Sequence, residues 1–221
     1  MGKKIKWIIW LVVIIAFLAW GSTQFTVVNT QEQAAVVESE KFDRVAFVDS
    51  IWDSKLLPAV QEDSIDLAVV LDAIGENLEK SAEFAKISVS GAYNYRVRGT
   101  GTVESVDVSS KNGVATIQLD HYDGNIQVFL NIGPKISGES IRDGSGFIEF
   151  GDFKDQTEYG QVSKEINKRV GDTVFNQFNW PEMVGKKISF GGMFTILTTN
   201  QTKINLDTVT ISPVYVEEEE E

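Results

Sequence analysis

The stretch YNYRVRGTGTVESVDVSSKNGVATIQL, residues 93–119, is where the period of the chain becomes two. Tyr93, Tyr95 and Val97 fall on one side and Asn94, Arg96 and Arg98 on the other, as an extended strand requires. Gly99 and Gly101 interrupt the run, and an interior glycine pair in a long strand marks a bend or bulge. Lys111-Asn112-Gly113 reads as a tight hairpin, because Asn-Gly accepts positive φ at both central turn positions. Ala115, Ile117 and Leu119 form the returning strand.

The pattern extends outward in both directions. Asp123-Gly124 reads as a second tight turn, and Ile126, Val128, Leu130 and Ile132 alternate in a third strand. Asp155 and Glu158 have capping-box spacing, and Tyr159, Val162, Ile166 and Val170 then form a helical face over about 156–170. Two more strands are expected: Lys187–Leu197, with Gly191 and Gly192 at a second bend, and Ile204–Val214. A long bent strand, a meander, a helix and two closing strands is the connectivity of the five-stranded OB-type barrel. The first strand must pair on both sides, so it must turn a corner.

Upstream, residues 46–86 read as helical. Ser50 and Asp53 have capping-box spacing, and Pro58 should end or kink that helix. Asp63 and Ser64 are candidate caps for a second helix with the stripe Leu67, Leu71, Ile74 and Leu78. The predicted fold class is therefore mainly β: a five-stranded OB-like Greek-key barrel over 87–216 with a small helical subdomain over 46–86. Residues 29–45 read as a connector and 217–221 as a solvated acidic tail.

Residues 1–28 have a basic start, Lys3, Lys4 and Lys6, followed by the apolar run Trp7–Trp20. Ala19-Trp20-Gly21 offers a signal-peptide cleavage reading. Alternatively, continuation through Phe25–Val28 gives a transmembrane helix of roughly 20 residues, with Trp7 and Trp20 as interfacial anchors. The bulky Trp20 inside the cleavage motif favours the uncleaved anchor. Either reading leaves the rest of the chain outside the cytoplasm, with secretion after cleavage as the alternative.

The 221 residues contain no cysteine and one histidine, with a formal net charge of −12. Disulfides, thiolate metal sites, a thiol nucleophile and a lipid-modified cysteine are all excluded. The acidic surface repels phosphate backbones and argues against nucleic acid as a partner. His121 sits by a turn, with neither a nucleophile elbow nor a positioned water to suggest catalysis. No metal or cofactor is implied: Glu149, Asp152 and Asp155 lack the EF-hand pattern and lie beside a helix cap.

The stretches VDSIWDSKLLPAV, residues 48–60, and IGPKISGESIRDGSGFIEFGDFKDQTEYGQVSKEIN, residues 132–167, carry a resemblance. With Trp52, Pro58, Gly133, Pro134, Gly138, Arg142, Asp143, Phe147, Phe150, Phe153, Gln156, Tyr159, Asn167, Gly191 and Gly192 in place, the chain resembles a bacterial family of predicted periplasmic lipoproteins, domain of unknown function 2291. The resemblance spans roughly residues 46–215 and implies an OB-like barrel. It also implies a setting beside sugar-type ABC importers, with an accessory role in uptake. Lacking cysteine, this chain would be tethered by its leader helix instead.

The glycine-rich segment 132–153 admits two readings. In the structural one, Arg142 ties down neighbouring carbonyls or Glu139 and holds a long crossover in place. In the functional one, Arg142 donates, Asp143 accepts, and Gly133, Gly138 and Gly144 let backbone N–H groups approach a polar ligand such as a sugar, flanked by Phe147 or Tyr159. The structural reading comes first. Trp52 reads as a helix anchor and Tyr93 and Tyr95 as barrel wall. The expected function is a non-enzymatic, membrane-tethered binding or accessory protein. Its rivals are an envelope carbohydrate hydrolase using acids around Asp143 and Glu149, and a purely scaffolding subunit.

Overall fold

Asp43 sets where the first helix of the unit Asp43–Glu221 begins, because its side chain accepts from the backbone N–H groups of Val45 and Ala46. The structure is a computed structural model that describes residues 42–136, 138–198 and 204–219, and positions 2 and 7 besides. The expected anchor and most of the connector therefore lie outside the described residues. Among the described residues no helix is long and apolar enough to cross a membrane.

Helix α1 (Arg44–Ile51) continues through a π-turn, Trp52–Leu56, into α2 (Leu57–Glu62). Ser50 and Asp53 therefore lie inside a continuous helical run and do not cap it. Pro58 neither ends nor breaks the run; it occupies the first turn of α2, directly after the π-turn. The wider turn before it, closed by Leu57 N–H to the Trp52 carbonyl, gives the ring room. Helix α3 (Leu67–Glu76) is capped by Asp66, not by Asp63 or Ser64. Leu78 starts a separate turn, α4 (Leu78–Ser81), capped by Asn77.

Among the described residues, seven strands form one mixed sheet. They are β1 (Ile65–Asp66), β2 (Ala85–Ile87), β3 (Tyr93–Asp107), β4 (Val114–Leu119), β5 (Gln127–Asn131), β6 (Lys187–Ile196) and β7 (Thr208–Glu218). The two short ones both pair with β3. The long five pair in a circuit, β3 with β4, β4 with β5, β5 with β7, β7 with β6 and β6 with β3. All of these pairings are antiparallel except β5 with β7, which is parallel. Strand β3 serves two partners by handing over along its length: residues 93–102 pair with β6 and 101–107 with β4.

Register breaks fall at two places. Along β3 the shift lies between Val103 and Ser105, at Glu104, rather than at Gly99 and Gly101. Between β6 and β7 it lies at Gly191 and Gly192, which face Tyr215 and Pro213 and leave Val214 as the extra residue. A Cβ on Gly192 would stand 2.3 Å from the Ser212 carbonyl oxygen, so only glycine fits there. Neither Asn112-Gly113 nor Asp123-Gly124 has a positive φ; the connections run over residues 108–113 and 120–126, and His121 takes the left-handed turn position at φ 58°. Strand β7 also runs further than alternation alone marks, taking Glu217 and Glu218 into register with Ser189 and Ile188. Lys186 Nζ, 2.8 Å from Glu218 Oε1, compensates one of those charges.

The inward residues of the five strands, among them Tyr95, Val97, Leu130, Phe190 and Ile211, are fully buried. At about 25 cal/mol per Å² of apolar surface removed from water, this layer supplies the main stabilising term. Tyr95 stacks on Phe194 at 4.7 Å, and its hydroxyl pairs with Ser81 Oγ at 2.6 Å. Helix α5 (Ser140–Gly144) packs on β3 and β6, and helix α6 (Gln156–Val170) packs on α5, α1 and β7.

Candidate functional site

The crossover between β5 and β6 fixes the site. Its hinge is a backbone contact: Gly133 N–H donates to the Gly113 carbonyl at 3.0 Å, and a Cβ on Gly133 would stand 2.3 Å from Gly113 N. Gly133 is thus a packing residue that lines neither of the two large grooves described below. Asp155 then caps α6 through the N–H groups of Thr157 and Glu158, which aims the helix back across the sheet. Trp52 is buried under Arg169, whose guanidinium carbon lies 5.1 Å above the indole, while Arg169 pairs with Asp49 and Arg44 with Glu165. These contacts pin α1 to α6.

Arg142 is the centre of a clamp and is 4% exposed. Nε donates to Asp143 Oδ1 at 2.7 Å, Nη1 to the Tyr159 carbonyl at 3.3 Å, and Nη2 lies 3.0 Å from Glu139 Oε2. Its plane stacks 3.6 Å from the Tyr159 ring, and the Tyr159 hydroxyl donates to Asp143 Oδ1 at 3.1 Å. Burial works against the guanidinium charge, and the hydrogen bond and charge of Asp143 outweigh it, so the pKa of Arg142 is raised further. Burial also raises the Tyr159 phenol, assisted by the negative charge of Asp143. Ser145 completes the turn, accepting from Ile148 N–H and donating to the Arg142 carbonyl, and Arg96 Nη1 donates to the Ser145 carbonyl.

Two grooves flank this clamp and share Ser88, Ser90, Asn94, Glu139 and Asp143. The larger, about 810 Å³, runs between the start of β3, the end of β6 and one face of α6. Gly160, Ser163, Lys164 and Asn167 line it at helical spacing. Asn167 Nδ2 donates to the Gly138 carbonyl at 2.8 Å. Thr195 Oγ1 donates to Asn94 Oδ1 at 2.8 Å and lies 3.1 Å from Ser140 Oγ. Ser163, 5% exposed, has no hydrogen-bond partner for its hydroxyl. Four other buried polar atoms share that state, in Ser64, Arg96, Asn131 and Trp180, but Ser163 alone among them lines either large groove. The second groove, about 750 Å³, is faced by Tyr159, Glu149 and the half-exposed ring of Phe150.

Of the residues singled out in the sequence, the structure brings Gly138, Arg142, Asp143 and Tyr159 to these grooves. Phe147 stands elsewhere, with Lys55 Nζ 6.0 Å from its ring, and lines neither. Glu149 precedes a short 3₁₀ turn, Phe150–Asp152, and its N–H donates to Asp152 Oδ2. Ser163, Lys164, Ser88 and Thr195 escaped the sequence reading. The signal for the first two was present as a polar stripe beside the apolar face of α6. Among the described residues no group of three or more His, Asp or Glu is placed to hold a metal ion.

Comparison with solved structures finds similarity to an OB-fold protein from Thermotoga maritima MSB8, a crystal structure at 1.90 Å resolution. It is 22% identical, with a TM-score of 0.64, covering 81% of this chain and all of that one, which shows a shared fold. No curated protein matches the chain. The family described as Predicted periplasmic lipoprotein (DUF2291) matches residues 13–217, although the chain itself has no cysteine. Over nearly its whole length, then, this chain belongs to that family of predicted periplasmic lipoproteins.

Proposed function

We propose that the protein is a non-enzymatic extracytoplasmic binding module that takes a small hydroxyl-rich ligand, such as a sugar, in the larger groove. Family membership supports the extracytoplasmic address. The circuit of strands serves in this reading as a closed OB-type barrel, a rigid body on which the crossover displays the groove. One observation carries the proposal: Ser163 Oγ is buried and unpartnered in a groove whose mixed wall also carries the hydroxyls and amides of Asn94, Ser140, Asn167 and Thr195. A buried hydroxyl without a partner costs roughly 1–3 kcal/mol, and a ligand hydroxyl would relieve it. The groove volume is within the usual range for small-molecule sites. A sugar-type ABC importer is the proposed neighbour, on the family resemblance alone, with the leader helix as the proposed tether.

The hydrolase reading has less support. Asp143 Oδ1 already accepts from both Arg142 and Tyr159, and Glu149 belongs to a turn. Thermal denaturation with a panel of sugars at millimolar concentration tests the proposal, since a ligand raises the midpoint by mass action. A Cβ on Gly160 meets nothing within 4 Å, so Gly160→Gln should fill the groove without disturbing the helix. A midpoint shift in the wild type that disappears in Gly160→Gln is the expected result. Absence of any shift would sink the binding reading, and turnover of a chromogenic glycoside that Asp143→Asn abolishes would end the non-enzymatic one.

A further inference from the structure

The charged side chains lining the larger groove are balanced, two lysines against two acids, where the whole molecule is acidic. The chain is acidic, at −12, yet Lys135 and Lys164 both line this groove. Neither makes an ion pair among the described residues, whereas Lys80, Lys168, Lys186 and Lys187 each do. The two acids on the same lining both lie against the buried guanidinium of Arg142, which offsets one of their two charges. Lys164 follows Ser163 on α6 and Lys135 comes from the crossover, so cations from two elements reach one cavity whose floor carries the unpartnered hydroxyl.

Resting on the binding reading above, we infer that the ligand is an anionic polyol, a hydroxylated chain or ring bearing one acidic group. The open hydroxyl of Ser163 meets one of its hydroxyl groups, and Lys135 and Lys164 meet its carboxylate or phosphate. Lysine suits this role as a flexible point charge that asks for no fixed bidentate geometry. The surrounding negative charge disfavours long polyanions and leaves a small solute with a single acidic group as the species that fits.

Calorimetric titration of the full chain with gluconate, glucose 6-phosphate and glucose tests the inference, the first two separating a carboxylate from a phosphate. At least one of the anions should bind about tenfold tighter than glucose, with the excess shrinking as salt is added. In Lys135→Gln/Lys164→Gln the ratio of anion to glucose affinity should fall to about one. Lys168→Gln, altering a lysine that pairs with Glu165 and lines neither groove, should leave that ratio as it was. Glucose binding as tightly as both anions, or an excess that survives the double substitution, overturns the inference and leaves the binding reading standing. No binding of any of the three overturns both.

Discussion

The clamp around Arg142 and the groove beside it share two segments, the crossover and α6, yet they treat polar groups in opposite ways. In the clamp the guanidinium meets two carboxylates, a carbonyl and an aromatic face, all supplied by the chain itself. In the groove a serine hydroxyl is left over and two lysines have no acidic partner among the described residues. The contrast separates scaffold from site: a polar group that folding has satisfied holds shape, and one that folding has left open is available to a ligand.

Substitutions can break or sharpen that contrast. Arg142→Met should have the largest effect, about 3 kcal/mol of lost stability in urea denaturation, because it leaves Asp143 beside an apolar side chain. Adding Asp143→Asn should restore part of the loss, and a single variant as stable as wild type would dissolve the clamp. Gly144→Ala comes next, at roughly 2 kcal/mol, since its Cβ would lie 2.8 Å from Cγ of the buried Met193.

A core hydroxyl provides the calibration. Tyr95→Phe should cost about 1 kcal/mol at neutral pH by removing the bond to Ser81. Burial pushes the Tyr95 phenol up to about 12, above its ordinary 10.0. Because the folded value is the higher one, its contribution is complete below pH 10 and is lost as pH climbs through about 12. Denaturation curves of wild type and Tyr95→Phe should therefore converge over that alkaline window.

The smallest effects belong to the groove. Gly160→Ala should stabilise by about 0.5–1 kcal/mol, as an open helical position allows. Ser163→Ala should stabilise by about 1 kcal/mol, since it removes a buried hydroxyl that has no partner, while abolishing the sugar-induced midpoint shift. A large cost for Ser163→Ala would mean that the hydroxyl is part of the scaffold after all.

Much of the strand order was legible because alternation and burial have one cause. Tyr95, Val97, Ile117 and Leu130 alternate in the sequence and are buried in the structure. What could not be read was settled by atoms distant in the chain. Asn112-Gly113 carries a strong local turn preference, but Ile132 and Gly133 both donate to the Gly113 carbonyl and hold it in another conformation. Asp43 and Asp66 outcompeted Ser50 and Asp63 as caps, because helices begin where packing places them as well as where a cap is offered. At the site, the glycine-rich motif drew attention to Arg142, whose chemistry is conspicuous in any sequence. Ser163 is an ordinary helical serine until the folded chain denies it a partner.

The circuit of strands also has a consequence for how the chain matures. Strand β7 joins β5 to β6, so the loop of pairings stays open until Thr208–Glu218 have docked. The pairing of β3 with β6 spans close to half the polypeptide, a separation associated with slow folding. Until the final strand arrives, β5 and β6 therefore present bare hydrogen-bonding margins on which other chains can pair.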